Sequence, residues 1–195
     1  ASESPAPGGG SISAYIGSLG AALATMVANL SSHKRGWDAR WEEFSDWANK
    51  GEQMKQNLLH LVDEDTAAFN GIMQAMTLPK ATDEEKHIRK EAISKATRYA
   101  IEVPFRVMEQ ALTSMEVIHA MAETGNPNSV SDAGVGALCA RSAVMGAYLN
   151  VRINCAGYED KAFVNEIIAK GKLLEESALR KEAEILKIVN EKIGN

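Results

Sequence analysis

The stretch Pro5-Ala6-Pro7-Gly8-Gly9-Gly10-Ser11, with the small and apolar run that follows it to Leu30, limits this chain more than any other feature. Prolines hold the chain extended on the way in. Three glycines then permit backbone angles and a close approach that side chains would forbid. Ser11 is a favoured N-cap for the helix that follows, with Ser13 in its first turn. Gly17, Ala21, Ala24 and Ala28 recur at three- and four-residue spacing, and Gly20 widens the same thin flank. With so few bulky atoms there, another helix or a second copy of this one can lie very close. Backbone N–H groups of the turn and the helix start converge on a place for an anion or a polar ring edge. A plain turn before a helix explains the same pattern, and at this point both readings stand. A dinucleotide fingerprint is excluded, because no strand precedes the glycines and the G-x-G-x-x-G spacing is missing; a P-loop is excluded by the lack of Gly-Lys-Ser/Thr. The run from Ile12 to Leu30 is nearly long enough for a membrane span. Ser13, Ser18, Thr25 and Asn29 interrupt it and no second span exists, so a buried helix of a soluble protein is expected.

The 195 residues suit one domain with a substantial core. A net charge of −5 and the absence of a basic run argue against a nucleic-acid partner. Cys139 and Cys155 lie in helix-like sequence without a C-x-x-C pattern, which points to a reduced, cytoplasmic protein. No signal peptide is recognisable. The start at Ala1, with the glycine turn almost at once, leads us to expect either a trimmed chain or a fragment of a longer polypeptide whose first helix is missing. Alternating β-branched runs do not occur, and Ala, Leu, Glu, Lys and Met dominate. The expected class is therefore all-α, an antiparallel bundle of about five long helices.

Along the chain, His33-Lys34-Arg35-Gly36 forms a basic corner after the first helix. Lys34 and Arg35 suit a carboxylate-bearing ligand, and equally the negative end of a helix dipole. Asp38 is placed to cap a second helix from about Ala39 to Met76, in which Trp41, Phe44 and Trp47 read as packing residues and Gly51 as a weak point or kink. Within Leu58–Phe69, three consecutive acids cannot all face water in a helix. Asp65 shares its face with Leu58, Leu61, Ala68 and Phe69, and an acid on an inward face implies a partner or a site. Asp65 is thus the strongest catalytic candidate, against the plainer reading of a structural ion pair. Thr82-Asp83-Glu84-Glu85 is a capping box opening a third helix to about Glu123. Pro104 inside it should kink the helix and free a carbonyl near Ala100. After Gly125-Asn126-Pro127-Asn128-Ser129, the residues Ser131 and Asp132 cap a second thin helix from Ala133 to about Asn154, a natural mate for the first. Asn150 and Asn154, one turn apart on it, point to hydrogen bonds with something buried. A charged outer helix from Glu159 to Ile193 ends the chain. His33, His60, His87 and His119 are too scattered for a metal motif, and no metal site is expected.

These segments together carry a resemblance. The Pro5–Ser11 turn, Leu61-Val62-Asp63-Glu64-Asp65-Thr66-Ala67-Ala68-Phe69, Leu78-Pro79-Lys80 before Glu84-Glu85-Lys86, Val103-Pro104, Gly125-Asn126, Ser131-Asp132 and Asn150-Val151-Arg152-Ile153-Asn154 resemble the cyclodeaminase domain of the formiminotransferase-cyclodeaminase family. The match spans nearly the whole chain in order and spacing. Ser131-Asp132-Ala133-Gly134-Val135-Gly136-Ala137-Leu138-Cys139 is similar to the bacterial methenyltetrahydrofolate cyclohydrolases of that family in particular. The resemblance implies a helical homodimer acting on a tetrahydrofolate near the subunit interface, with no permanently bound cofactor. The expected reaction converts 5-formiminotetrahydrofolate to 5,10-methenyltetrahydrofolate and ammonia, a step of histidine degradation. The alternatives are the cyclohydrolase, which interconverts the methenyl and 10-formyl forms, and a non-catalytic helical dimerisation module. Ring closure needs a proton taken from one nitrogen and given to another, and a carboxylate near a cationic carbon. Within this resemblance Asp65 takes that role, with Asp132 second. Gly8, Gly9, Gly10 and Ser11 would shape the pterin pocket, joined by Ser131. Asn126, Asn150 and Asn154 would read the pterin amide edge, and Lys34 and Arg35 would meet the glutamate tail. It implies no role for Glu64 or Arg152.

Overall fold

The computed structural model describes residues 3–194, and among these there are five long helices, two short 3-10 turns and no strand. The helices are α1 (Gly9–Ser32), α2 (Trp41–Met76), α3 (Asp83–Thr124), α4 (Val130–Cys155) and α5 (Lys161–Ile193). The all-helical expectation holds.

The two thin helices do pair, and they do so backbone to backbone. A Cβ built on Gly20 would lie 2.8 Å from the Gly136 carbonyl oxygen, and one on Gly136 would lie 3.2 Å from that of Gly20. Further along, Gly17 meets Ala143, and Gly9 meets Asn150. The start of α1 therefore lies beside the end of α4. Against its other side α1 receives α2, where a Cβ on Gly51 would sit 2.4 Å from Thr25 Oγ1. This explains Gly51 differently from the expected kink: α2 runs unbroken through it, and the missing side chain lets two helices approach. An 18-residue window of α1 is apolar enough to cross a membrane, and 61% of that window is buried inside the bundle, as in a core helix.

Helix boundaries correct three capping expectations. α1 begins at Gly9 with Gly8 as its N-cap, so Ser11 is already inside the first turn, fully buried and facing another helix. A 3-10 turn, Asp38–Arg40, precedes α2, and Asp38 makes no cap bond. The Pro127–Ser129 turn feeds straight into α4 at Val130, so Ser131 and Asp132 are first-turn residues rather than caps. The Thr82–Glu85 capping box is present, with both reciprocal bonds made. Phe44 is buried, stacked on Trp37 at 5.5 Å, and Trp47 packs at the core edge. Trp41 is 54% exposed, at the outer side of α2's first turn, and does not pack as expected.

Pro104 sits within α3 and cannot donate to Ala100. That freed carbonyl accepts a hydrogen bond from Asn154 Nδ2 at 2.7 Å, tying α3 to the end of α4. α5 packs over α4 and α3 from outside. One long surface of the bundle stays apolar: Ile12, Tyr15, Leu19, Met26 and Leu30 of α1, with Val135, Leu138, Leu149 and Ile153 of α4. Leu149 and Ile153 are 62% and 68% exposed, far more than aliphatic side chains on a closed core surface.

Candidate active site

Where α1 begins, four helices and the leading Pro5–Gly8 segment enclose a cleft of about 230 Å³. Its polar members are Asp65 from α2, and Asn150 and Asn154 from α4; Gly8, Gly9 and Gly10 form one wall, and Phe69, Ile72 and Ala100 supply the apolar lining.

Asp65 is half-buried, on the inward face that helical periodicity assigns it. Ser11 Oγ donates to its Oδ2 at 2.7 Å, and that hydroxyl also lies 3.2 Å from Thr66 Oγ1, which is within 3.3 Å of the Val62 carbonyl. The carboxylate faces the first turn of α1, where unpaired N–H groups carry partial positive charge. Gly10 is what allows this: a Cβ there would be 2.2 Å from Asp65 Oδ1, 2.7 Å from its Cγ and 2.8 Å from Oδ2. The glycine run is thus no plain turn, because one of its members makes room for the carboxylate. No basic side chain pairs with Asp65 among the described residues, so the structural ion-pair reading fails.

The two asparagines stand opposite. Asn150 donates from Nδ2 to the Gly146 carbonyl at 2.9 Å, and Asn154 donates to Ala100 as described. Each spends one amide N–H on a backbone carbonyl, which orients its amide and leaves the amide oxygen as an acceptor at the cleft. The expected partner for a buried group is found for Asn154 in the carbonyl that Pro104 releases.

The remaining candidate residues lie at the other end of the bundle. Lys34 and Arg35 follow the end of α1, about 33 Å from Gly10 along the helix axis. Lys34 Nζ rests 4.1 Å from the Trp37 ring centroid, a cation–π contact. Asp132 and Ser131 are separated from Asn150 by about 27 Å of α4. Asn126 caps the 3-10 turn through its side chain, and its N–H donates to Ser31 Oγ at 2.8 Å. Within one copy of the chain, none of these five residues shares the Asp65 cleft; long helices carry them away from it.

Glu64, assigned nothing by sequence, is a crosslink beside the cleft. Its Oε1 accepts from Arg106 Nη2 at 2.5 Å and from the Tyr99 hydroxyl, joining α2 to α3, while Oε2 is buried without a partner. Burial pushes the Glu64 carboxyl up, but the Arg106 and Tyr99 hydrogen bonds outweigh it and hold the carboxyl below its usual range. The run of three acids hinted at this: at 100° per residue, Glu64 must face a different neighbour from Asp65. Phe69 was legible as an inward residue and Ile72 was not singled out; their place in the cleft depends on the start of α1 lying across them. Cys139 and Cys155 are free thiols, both pushed up by burial. Among the described residues no three His, Cys, Asp or Glu side chains gather as a metal site.

Fold and site define an all-α protein with a carboxylate set against a glycine-rich helix start. The model of the formiminotransferase-cyclodeaminase family matches residues 1–172, and the chain belongs to that folate-processing family. It is 37% identical to the methenyltetrahydrofolate cyclohydrolase of Methylorubrum extorquens, over 92% of this chain and 87% of that protein. It is 35% identical to the formimidoyltransferase-cyclodeaminase of Gallus gallus, over 97% of this chain but only 35% of that longer protein. The formiminotetrahydrofolate cyclodeaminase of Thermotoga maritima has the same fold in its crystal structure, with a TM-score of 0.85 at 24% identity, over 98% of this chain and 92% of the other.

Proposed function

We propose that this chain is a formimidoyltetrahydrofolate cyclodeaminase, acting as a cytoplasmic homodimer in the salvage of a one-carbon unit from histidine breakdown. The observation that carries the reading is Asp65, held by Ser11 against the glycine helix start and facing Asn150 and Asn154. In the protonated formimino group, N10 of the folate attacks the amidine carbon and the C–N10 bond forms. The resulting tetrahedral carbon bears an amino group and a protonated N10. Asp65 takes the proton from N10 and delivers it to the amino nitrogen, which leaves as ammonia when its C–N bond breaks. One positive charge persists throughout and ends on the methenyl carbon between N5 and N10, where the carboxylate stabilises it. Asn150 and Asn154 offer acceptors to the pterin amide edge, and the small Gly8–Gly10 wall admits a flat ring.

The apolar surface of α1 and α4 supports pairing of two antiparallel bundles as a dimer. With each α1 reversed on its mate, such a pairing sets the far-end group (Asp132, Ser131, Asn126, Lys34 and Arg35) of one copy over the cleft of the other. This arrangement would reunite the residues that the family resemblance groups into one site.

The cyclohydrolase is a second reading, favoured by the 37% identity to the Methylorubrum extorquens enzyme over most of both chains. A tetrahedral carbon bridging N5 and N10, with a hydroxyl in place of the amino group, would then form by addition of water to the methenyl carbon and release of one proton to solvent; its bond to N5 would break as the hydroxyl gives up its proton and N5 takes one, leaving the 10-formyl form. Purified protein with 5-formiminotetrahydrofolate, followed for methenyl absorbance and ammonia together, separates the two. Coupled appearance of both supports the cyclodeaminase. Absence of ammonia with rapid hydrolysis of supplied methenyltetrahydrofolate favours the cyclohydrolase. Neither activity would leave a helical interaction module.

A further inference from the structure

Pro104 leaves α3 without the hydrogen bond that residue 104 would give to the Ala100 carbonyl, in the turn that borders the cleft. Tyr99 and Arg106 flank that gap, two turns apart on one face of α3 and about 10 Å apart along its axis. Both donate to one atom on α2, Glu64 Oε1: Arg106 from Nη2 at 2.5 Å, and Tyr99 from its hydroxyl. One carboxylate oxygen thus splints the weakened turn. The splint ends one residue from the cleft on each helix. Glu64 precedes Asp65, and Tyr99 precedes Ala100, whose carbonyl accepts from Asn154 Nδ2 at 2.7 Å. Glu64 does not line the cleft itself; with Arg106, His60 and Gln110 it borders a separate cavity of about 280 Å³.

We propose that Glu64 is a positioning residue for the folate reaction, acting through Tyr99 and Arg106 to fix the distance across the cleft between Asp65 and Asn154. The inference rests on the reading of that cleft as the folate site. Sliding of α2 along α3, or opening of the Pro104 turn, would move Asp65 relative to the Ala100 carbonyl, and so relative to the Asn154 amide held by it. Stability alone accounts poorly for the arrangement. Glu64 Oε2 is buried without a donor, and an unpaired acceptor of that kind offsets part of what the ion pair contributes. What the crosslink supplies without offset is geometry. Two donors converging on one oxygen fix both the register of α2 on α3 and the span of the turn. Arg141–Glu182 is the contrast: its carboxylate is buried to a similar degree, 13% exposed against 15% for Glu64, and it joins α4 to α5 away from the cleft.

The test sets Glu64→Ala beside Glu182→Ala, with kcat and KM measured for whichever of the two folate reactions the chain performs. Glu64→Ala should lower kcat by roughly ten- to a hundredfold, the cost of misplacing a catalytic group by up to about 1 Å, with a smaller change in KM. Glu64→Gln, which keeps the accepting oxygen, should recover most of that loss. Glu182→Ala should lower Tm while kcat stays near native. Equal kcat losses in the two alanine variants, or a native kcat in Glu64→Ala, overturn the proposal. Should Glu64→Ala fail to fold, Tyr99→Phe decides: a several-fold loss of kcat at native Tm supports the splint, and a native kcat refutes it. Amide hydrogen exchange needs no turnover. Glu64→Ala should speed exchange around Ala100 on α3 and at the Asn154 end of α4 and leave α5 unchanged; a uniform change, or none, refutes the splint. A native chain that turns over neither folate sinks the folate reading, and the exchange pattern then decides the splint by itself.

Discussion

Gly10→Ala separates the two things a glycine can do here. The added Cβ would lie 2.2 Å from Asp65 Oδ1. To reach the roughly 3.3 Å of ordinary carbon–oxygen contact, that oxygen must retreat by about 1 Å. The atom it meets is the tip of a rotatable side chain, so the helices themselves need not separate. Stability then changes by opposing small amounts. Alanine in a helix gains about 0.5–1 kcal/mol over glycine, and loss of the Ser11 bond to a charged carboxylate costs about 1.5–3 kcal/mol. The net is a loss of about 0.5–2.5 kcal/mol, a Tm drop of roughly 1–10 °C for a chain of this size. Turnover should suffer far more, because a catalytic group misplaced by about 1 Å costs on the order of a hundredfold. The assay is kcat for methenyl formation beside a thermal melt, with Gly71→Ala on α2 as the control. There the new Cβ meets no atom within 4 Å, and Asp65 is untouched. A Gly10→Ala protein with native kcat, or one whose structure keeps the Ser11–Asp65 bond, would refute the reasoning.

The Ala100 carbonyl freed by Pro104 can be tested by a double-mutant cycle. Asn154→Ala should destabilise the chain by about 1–3 kcal/mol, and by much less on a Pro104→Ala background, where residue 104 again donates to Ala100; equal losses on both backgrounds would exclude the coupling. Glu64 should shape acid stability. Its carboxyl is held below the usual 4.5, so its contribution is complete above the unfolded-state value and is lost as pH falls through the folded-state value. Glu64→Gln should therefore flatten the fall in Tm below the ordinary carboxylate range, and a wild-type slope there would count against it. Leu149→Asp with Ile153→Arg should give a monomer by light scattering if α1 and α4 form the dimer face. Coexpressed Asp65→Asn and Asp132→Asn chains, each inactive alone, should regain about a quarter of native activity if each site draws on both copies. Inactive mixtures would place Asp132 outside the site.

The sequence shows part of the site because part of it is periodic. Asp65 was identifiable from three acids between apolar stretches, and Asn154 from a polar amide on a thin helix. The Pro104 ring predicted a free carbonyl at Ala100, and the structure supplies its donor. What local pattern does not carry is the position of a residue along a long rod. Asp132 and Asn150 stand on one helix with similar neighbours, yet about 27 Å of α4 lies between them. A resemblance groups both because family motifs are ordered along the chain, not in space. The same reasoning explains why Glu64 went unassigned: its partners Tyr99 and Arg106 come from α3, and only the packing of α2 on α3 brings them together. Two widely separated groups of motif residues, beside an apolar surface along α1 and α4, are what the proposed dimer would bring together. In that reading one copy provides a carboxylate in a cleft, and the second copy would supply the residues that the cleft lacks.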